Sequence, residues 1–124
     1  MTGRLLLVAT PIGNLDDLAP RAVAAFTAAD LVACEDTRRT GLLLHNLGIK
    51  KPLVSLHEHN ERARTSSILA ALEQGQTVAV ASDAGTPLLS DPGYFLTRAA
   101  IAAGHRVEAI PGASAPLVAL LVSG

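Results

Sequence analysis

The chain has 124 residues, of which 49% are hydrophobic and 17% charged, with a net charge of −1. That length suits one domain, the apolar share is enough for a core, and the near-neutral balance excludes a bulk field that would draw the chain onto nucleic acid. Aromatics are only 2%, with no Trp, which argues against a base-stacking platform.

Cys34 is the sole cysteine, so no disulfide forms within the chain, and it reads as a small buried hydrophobe in a reducing compartment. Nothing at the start reads as a signal peptide. The apolar run at 113–122 is too short to span a bilayer and is broken by Pro116. The expected location is the cytoplasm, with no membrane partner.

Short β-rich runs alternate with longer amphipathic ones. Residues 5–9 form a continuous apolar run, as a strand buried on both faces does. Asp17 is placed to cap a helix over about 18–29. A second strand covers Leu31–Cys34, and a helix over 37–47 is capped by Asp36 and stopped by Gly48. A third strand at 53–56 is followed by a helix over Glu61–Glu73, with Asn60 as cap and Gly75 just past its end. A fourth strand, Thr77–Ala81, leads through a long loop at 82–92 to a helix at about 93–103, closed by Gly104. A fifth strand at 107–110 precedes a last apolar helix opened by Ser114. The pattern predicts an α/β fold of five βα units: a mostly parallel sheet flanked by helices, with right-handed crossovers and room for an antiparallel edge strand. The last helix is apolar at nearly every position, so residues 1–124 are expected to be the N-terminal domain of a larger two-domain protein.

Polar and glycine residues gather in the loops that follow the strands, where open α/β sheets bind ligands. These loops carry Thr10-Pro11-Ile12-Gly13-Asn14, Glu35-Asp36-Thr37-Arg38-Arg39, His57-Glu58-His59-Asn60, Ser82-Asp83-Ala84-Gly85-Thr86-Pro87 and Pro111-Gly112-Ala113-Ser114-Ala115. The opposite loops read as ordinary turns. Gly13, Gly85 and Gly112 can adopt positive φ and let backbone amides approach a ligand. Asp83 either accepts from a ligand or braces its own turn. Arg38 and Arg39 begin a helix where the dipole disfavours cations, which favours a substrate or phosphate contact at the rim. His57 and His59 lack a third ligand at metal spacing, so no metal is expected; His45 and His105 read as surface residues. There is no G-x-x-x-x-G-K-[ST] loop, no G-x-G-x-x-G after the first strand and no G-x-S-x-G elbow.

Four segments together resemble the ribosomal RNA small subunit methyltransferase I family, a branch of the tetrapyrrole methylase superfamily. They are residues 6–17, Glu35-Asp36-Thr37-Arg38, residues 82–93 and Ile110-Pro111-Gly112-Ala113-Ser114-Ala115. The resemblance implies a tetrapyrrole-methylase N-terminal domain. It implies S-adenosylmethionine as cofactor and methylation of the 2′-hydroxyl of a cytidine in the decoding region of small-subunit (16S) ribosomal RNA. It also implies a homodimer, with the cofactor held between this domain and a C-terminal one.

Carried over by motif, Ile12, Gly13, Ala81, Ser82, Asp83, Thr86, Ser114 and Ala115 would contact the cofactor. The loops Thr-Pro-Ile-Gly-Asn and Asp-Ala-Gly-Thr-Pro depart from the glycine-richer first loop and Gly-Asp-Pro fourth loop of porphyrinoid enzymes, favouring RNA as substrate. Asp36, Glu35, His57 and Glu58 are candidate general bases, although the reaction may proceed without one. The alternatives are a tetrapyrrole or other small-molecule methylase of the same fold, and a non-catalytic, flavodoxin-like ligand-binding module. The isolated piece is expected to be inactive.

Overall fold

The computed structural model describes residues 3–82, 85 and 93–124. Its elements alternate as expected: β1 (Arg4–Val8), α1 (Pro20–Ala28), β2 (Leu31–Cys34), α2 (Thr37–Asn46), β3 (Leu53–Ser55), α3 (Glu61–Glu73), β4 (Thr77–Ala81), α4 (Tyr94–Ala102), β5 (Arg106–Ile110) and α5 (Ala115–Val122). The strands form one sheet in the order β3-β2-β4-β1-β5, and every pairing is parallel, so the antiparallel edge left open by the sequence is not used.

Side-chain alternation along the strands feeds two cores. Leu6, Val8, Val32, Ala79 and Ala81 pack with Ala22, Ala25 and Phe26 of α1 and Leu44 of α2. Leu5, Ala33, Val78 and Val80 point the other way, onto Ile68 and Leu72 of α3 and Leu96 and Ala100 of α4. The buried residues recur at helical spacing (22, 25 and 26; 65, 68 and 72; 96 and 100), so each of these helices buries one stripe. The small side chains Ala79 and Ala81 lie on the face that meets the fully buried Phe26.

The first helix starts later than the sequence suggested. Asp17 belongs to a 3-10 turn, Leu15–Asp17, capped by Asn14, whose Oδ1 accepts from the Asp16 amide at 3.0 Å. The helix proper begins at Pro20, with Ala19 as N-cap in extended conformation. Proline suits the first helical position and drives the residue before it out of the helical region.

Asn60 does occupy the N-cap position of α3, but its side chain makes no cap bond. Its Oδ1 accepts from the His57 amide at 2.8 Å, and its Nδ2 donates to Ser55 Oγ at 3.1 Å, bracing the turn after β3. His105 is buried rather than at the surface.

α5 packs none of its residues into either core, and Leu120, Leu121 and Val122 are 68%, 80% and 82% exposed. No helix among the described residues is long and apolar enough to cross a membrane.

Candidate functional site

Consecutive strands move outward from β1 to β2 to β3 and then back through β4 to β5, so α1 and α2 cover one face and α3 and α4 the other. The loops leaving neighbouring β1 and β4 therefore diverge to opposite faces, which opens a crevice beyond their carboxyl ends. Cys34, Ala81, Val8 and Ile110 form one row across the sheet at that edge. The loops after β1, β4 and β5 continue directly from this row.

Those loops are tied to one another. Thr10 and Gly85 exchange two backbone hydrogen bonds, both at 2.9 Å. The Thr10 hydroxyl donates to Ser82 O at 3.4 Å, and the Ser82 hydroxyl donates to Gly85 O at 3.2 Å. Ala9 N donates to Ile110 O at 3.2 Å, carrying the β1–β5 pairing one residue further. Gly85 has φ +86°, a conformation that a Cβ makes costly, and an added Cβ would sit 3.1 Å from Ile12 Cγ2.

Gly112 corrects one expectation. It is absent from the positive-φ set; what excludes a side chain there is the Ala9 Cβ, 2.9 Å from where its own would stand. Glycine at this edge thus serves φ at Gly13 (+146°) and Gly85, and space at Gly112.

A cavity of about 230 Å³ opens beside these loops, lined by Thr10, Pro11, Gly13, Asn14, Leu15, Arg39, Thr40, Leu43 and Ser82. It brings together Gly13 and Ser82 of the expected cofactor set and Arg39 of the expected rim. Ile12 is half-buried against Gly85, while Ala81 lies fully inside the sheet as the last residue of β4. Ser114 is buried at the N-cap of α5, and its hydroxyl finds no hydrogen-bond partner among the described residues. Ala115 is exposed in the first turn of α5. Asp83 and Thr86 lie outside the described residues. Thr10 and Thr40 are site residues that the sequence reading passed over. The signal for Thr10 was its place just past a strand buried on both faces.

The candidate bases separate. Asp36 caps α2: its Oδ1 accepts from the Arg38 amide at 2.9 Å and pairs with Arg38 Nε at 3.5 Å. The Arg38 amide is the largest influence holding this carboxyl below the usual carboxylate range, which weakens it as a base. Glu35 precedes it at the end of β2. His57 and Glu58 follow β3, the edge strand, which β2 and β4 separate from β1. His57 Nε2 lies 3.2 Å from Asn60 Nδ2, so this ring belongs to the turn network.

The His57 and His59 rings meet edge to face with centroids 6.0 Å apart, and no group among the described residues could hold a metal ion. Cys34 is buried, with its thiol 3.9 Å from Val54 O.

A doubly wound parallel sheet with interlocked loops at its carboxyl edge defines the class of open α/β domains, and the chain belongs to the tetrapyrrole (corrin/porphyrin) methylase family, whose model matches residues 4–124. It is 54% identical over its whole length to Ribosomal RNA small subunit methyltransferase I of Pasteurella multocida, and 56% identical over 97% of its length to the protein of that name in Mesorhizobium japonicum. The chain spans 44% and 41% of those relatives, respectively. Uroporphyrin-III-C-methyltransferase of Thermus thermophilus superposes with a TM-score of 0.72 at 25% identity, over 92% of this chain and 49% of that one.

Proposed function

We propose that the chain is the N-terminal domain of an S-adenosylmethionine-dependent methyltransferase that modifies the 2′-hydroxyl of a cytidine in the decoding region of small-subunit ribosomal RNA. In this reading the full-length protein is a cytoplasmic homodimer, and the second domain closes the cofactor cleft. The observation that carries the substrate is the whole-length identity above 50% to proteins named as ribosomal RNA small subunit methyltransferase I, against 25% to the uroporphyrin enzyme. The departures in the Thr10–Asn14 and Asp83–Pro87 loops point the same way. The bare apolar surface of α5 supports a covering domain.

The residues fit part of such a cofactor. At about 230 Å³ the cavity falls below the roughly 300–1,000 Å³ usual for a whole ligand site, as half a cleft should. The buried Ser114 hydroxyl, without a partner among the described residues, adds a donor and acceptor at the same edge.

When bound, such a cofactor would supply an electrophilic sulfonium methyl for the ribose oxygen, whose proton would leave to base or solvent. The domain's own contribution is positioning. The Thr10–Gly85 lock fixes the loop backbones, and Arg39 places a cation at the cavity wall, where a phosphate can sit. Holding two reactants in line supplies a large part of such a rate. With Asp36 engaged as a cap and His57 in a turn network, Glu35, Glu58 and solvent are left to take the proton.

The test is methyl transfer by the full-length protein to small ribosomal subunits and to uroporphyrinogen in parallel. Transfer to the subunits at a ribose 2′-oxygen is expected; transfer to the tetrapyrrole alone overturns the RNA reading. Asp83→Ala should weaken S-adenosylhomocysteine binding about tenfold or more in calorimetry at unchanged Tm. Tight flavin mononucleotide binding in its place would establish the non-catalytic alternative. Residues 1–124 alone should transfer no methyl group.

A further inference from the structure

The chain's three aromatic residues are Phe26, Tyr94 and Phe95. Phe26 is core, but Tyr94 and Phe95 stand side by side at the start of α4, 64% and 38% exposed. Each carries a guanidinium. Arg62, the second residue of α3, lies over the Phe95 ring at 4.5 Å from its centroid, and Arg98 lies over Tyr94 at 5.7 Å, with its Nη1 3.4 Å from the phenol oxygen. Ile101, one turn beyond Arg98 and 60% exposed, continues the same stripe.

The two helix starts are clamped together, because Glu61 Oε2 accepts from the Leu96 amide at 3.0 Å. Neither Arg62 nor Arg98 makes an ion pair among the described residues. α3 follows β3 and α4 follows the β4 loop, so this patch lies on the same sheet edge as the candidate cleft. It sits on the α3/α4 layer, opposite Arg38 and Arg39 on the α2 layer.

We infer that Arg62, Tyr94, Phe95 and Arg98 form a docking surface for single-stranded RNA flanking the methylation site. The inference rests on the RNA reading above and deepens it. Unpaired bases stack on aromatic rings and on guanidinium planes, and the remaining N–H groups of each Arg meet phosphate. The chain's net charge of −1 makes such attraction local, and here two cations lie over rings on two clamped helices. Composition alone argued against a stacking platform. Two of the three aromatics are neighbours in sequence, and the fold exposes both and brings Arg62 over one of them.

The test uses the full-length protein, a fluorescein-labelled single-stranded RNA of mixed sequence, and small ribosomal subunits as methyl acceptor. Tyr94→Ala should raise the RNA Kd and the subunit KM about tenfold with kcat and S-adenosylhomocysteine affinity unchanged, and Tyr94→Phe should restore binding. The double variant Arg62→Gln with Arg98→Gln should weaken RNA binding similarly and reduce the slope of log affinity against log salt by about two.

Wild-type RNA affinity and salt slope in these variants at unchanged Tm would overturn the inference. So would a loss confined to folding or to oligomeric state, which would make the patch a protein contact. If the wild-type protein neither binds nor methylates RNA, the functional reading itself falls; if wild type methylates RNA and the variants match it, only this surface falls.

Discussion

The two edges of the sheet solve their hydrogen-bonding problem in different ways. At the amino edge, three helices end in the same device. α2, α3 and α4 close on Gly48, Gly75 and Gly104, with φ of 71°, 82° and 84°. In each, the glycine amide and the following amide return to carbonyls of the last turn: Gly48 to His45 and Ile49 to Leu44, Gly75 to Leu72 and Gln76 to Ala71, Gly104 to Ile101 and His105 to Ala100. Asp30 completes the edge by accepting from the Thr77 amide at 2.8 Å.

At the carboxyl edge the loops bond to one another across the sheet, through Thr10, Ser82 and Gly85, and the buried Ser114 hydroxyl has no partner among the described residues. Helix ends closed in this way are scaffold, whereas loops braced against one another at the carboxyl ends of the strands stand where open α/β sheets bind ligands.

Substitutions at matched positions should separate the two. The largest effect is expected at the amino edge. A Cβ on Gly3 would stand 2.0 Å from Gln76 O and 2.9 Å from Leu72 O, both backbone atoms that cannot swing aside. Gly3→Ala should cost about 3 kcal/mol or more in denaturant unfolding, while the fraction that stays folded binds S-adenosylhomocysteine normally. Loss of binding beyond the loss of fold would break the division between the edges.

Gly112→Ala meets the Ala9 Cβ, a neighbour with somewhat more room to give. A cost of roughly 1–3 kcal/mol is expected, accompanied by weaker S-adenosylhomocysteine binding in calorimetry of the full-length protein, because the β5 loop must shift off the β1 loop. Destabilisation with full affinity would show that the β5 loop is scaffold as well.

The smallest effect is expected at Asp36, where Asn preserves the cap but removes the charge. A carboxyl with a depressed pKa stabilises the fold above its unfolded value, about 3.9, and that contribution disappears as pH falls through the lower folded value. Asp36→Asn should therefore lower Tm slightly near neutrality and converge with wild type in acid. Its kcat should stay close to wild type; a fall of two orders of magnitude or more would instead identify Asp36 as the general base.

Much of the amino edge could be read locally. Glycine just past each amphipathic run marked Gly48, Gly75 and Gly104, because a left-handed residue closing a helix is a short-range requirement. His105 was misjudged for a related reason: it directly follows the closing glycine, and its amide bond back to Ala100 draws it inward. Asp36 was legible as a cap because its partner is two residues away. The start of α1 was misplaced because Pro20 outweighed Asp17. At the carboxyl edge, the loops themselves were legible as a set. Their mutual lock was not, since Thr10 meets Gly85 across 75 positions of sequence.

By itself, then, the sequence determined the elements, their parallel α/β class, the helix stops and the family motifs, because each rests on periodicity or on contacts a few residues apart. Only the tertiary structure decided that the strands run β3-β2-β4-β1-β5, which candidate residues share the cleft, and that Arg62 of α3 comes to lie over Phe95 of α4. Those outcomes depend on pairings between distant segments, which are set by how two apolar faces are buried at once rather than by any local pattern.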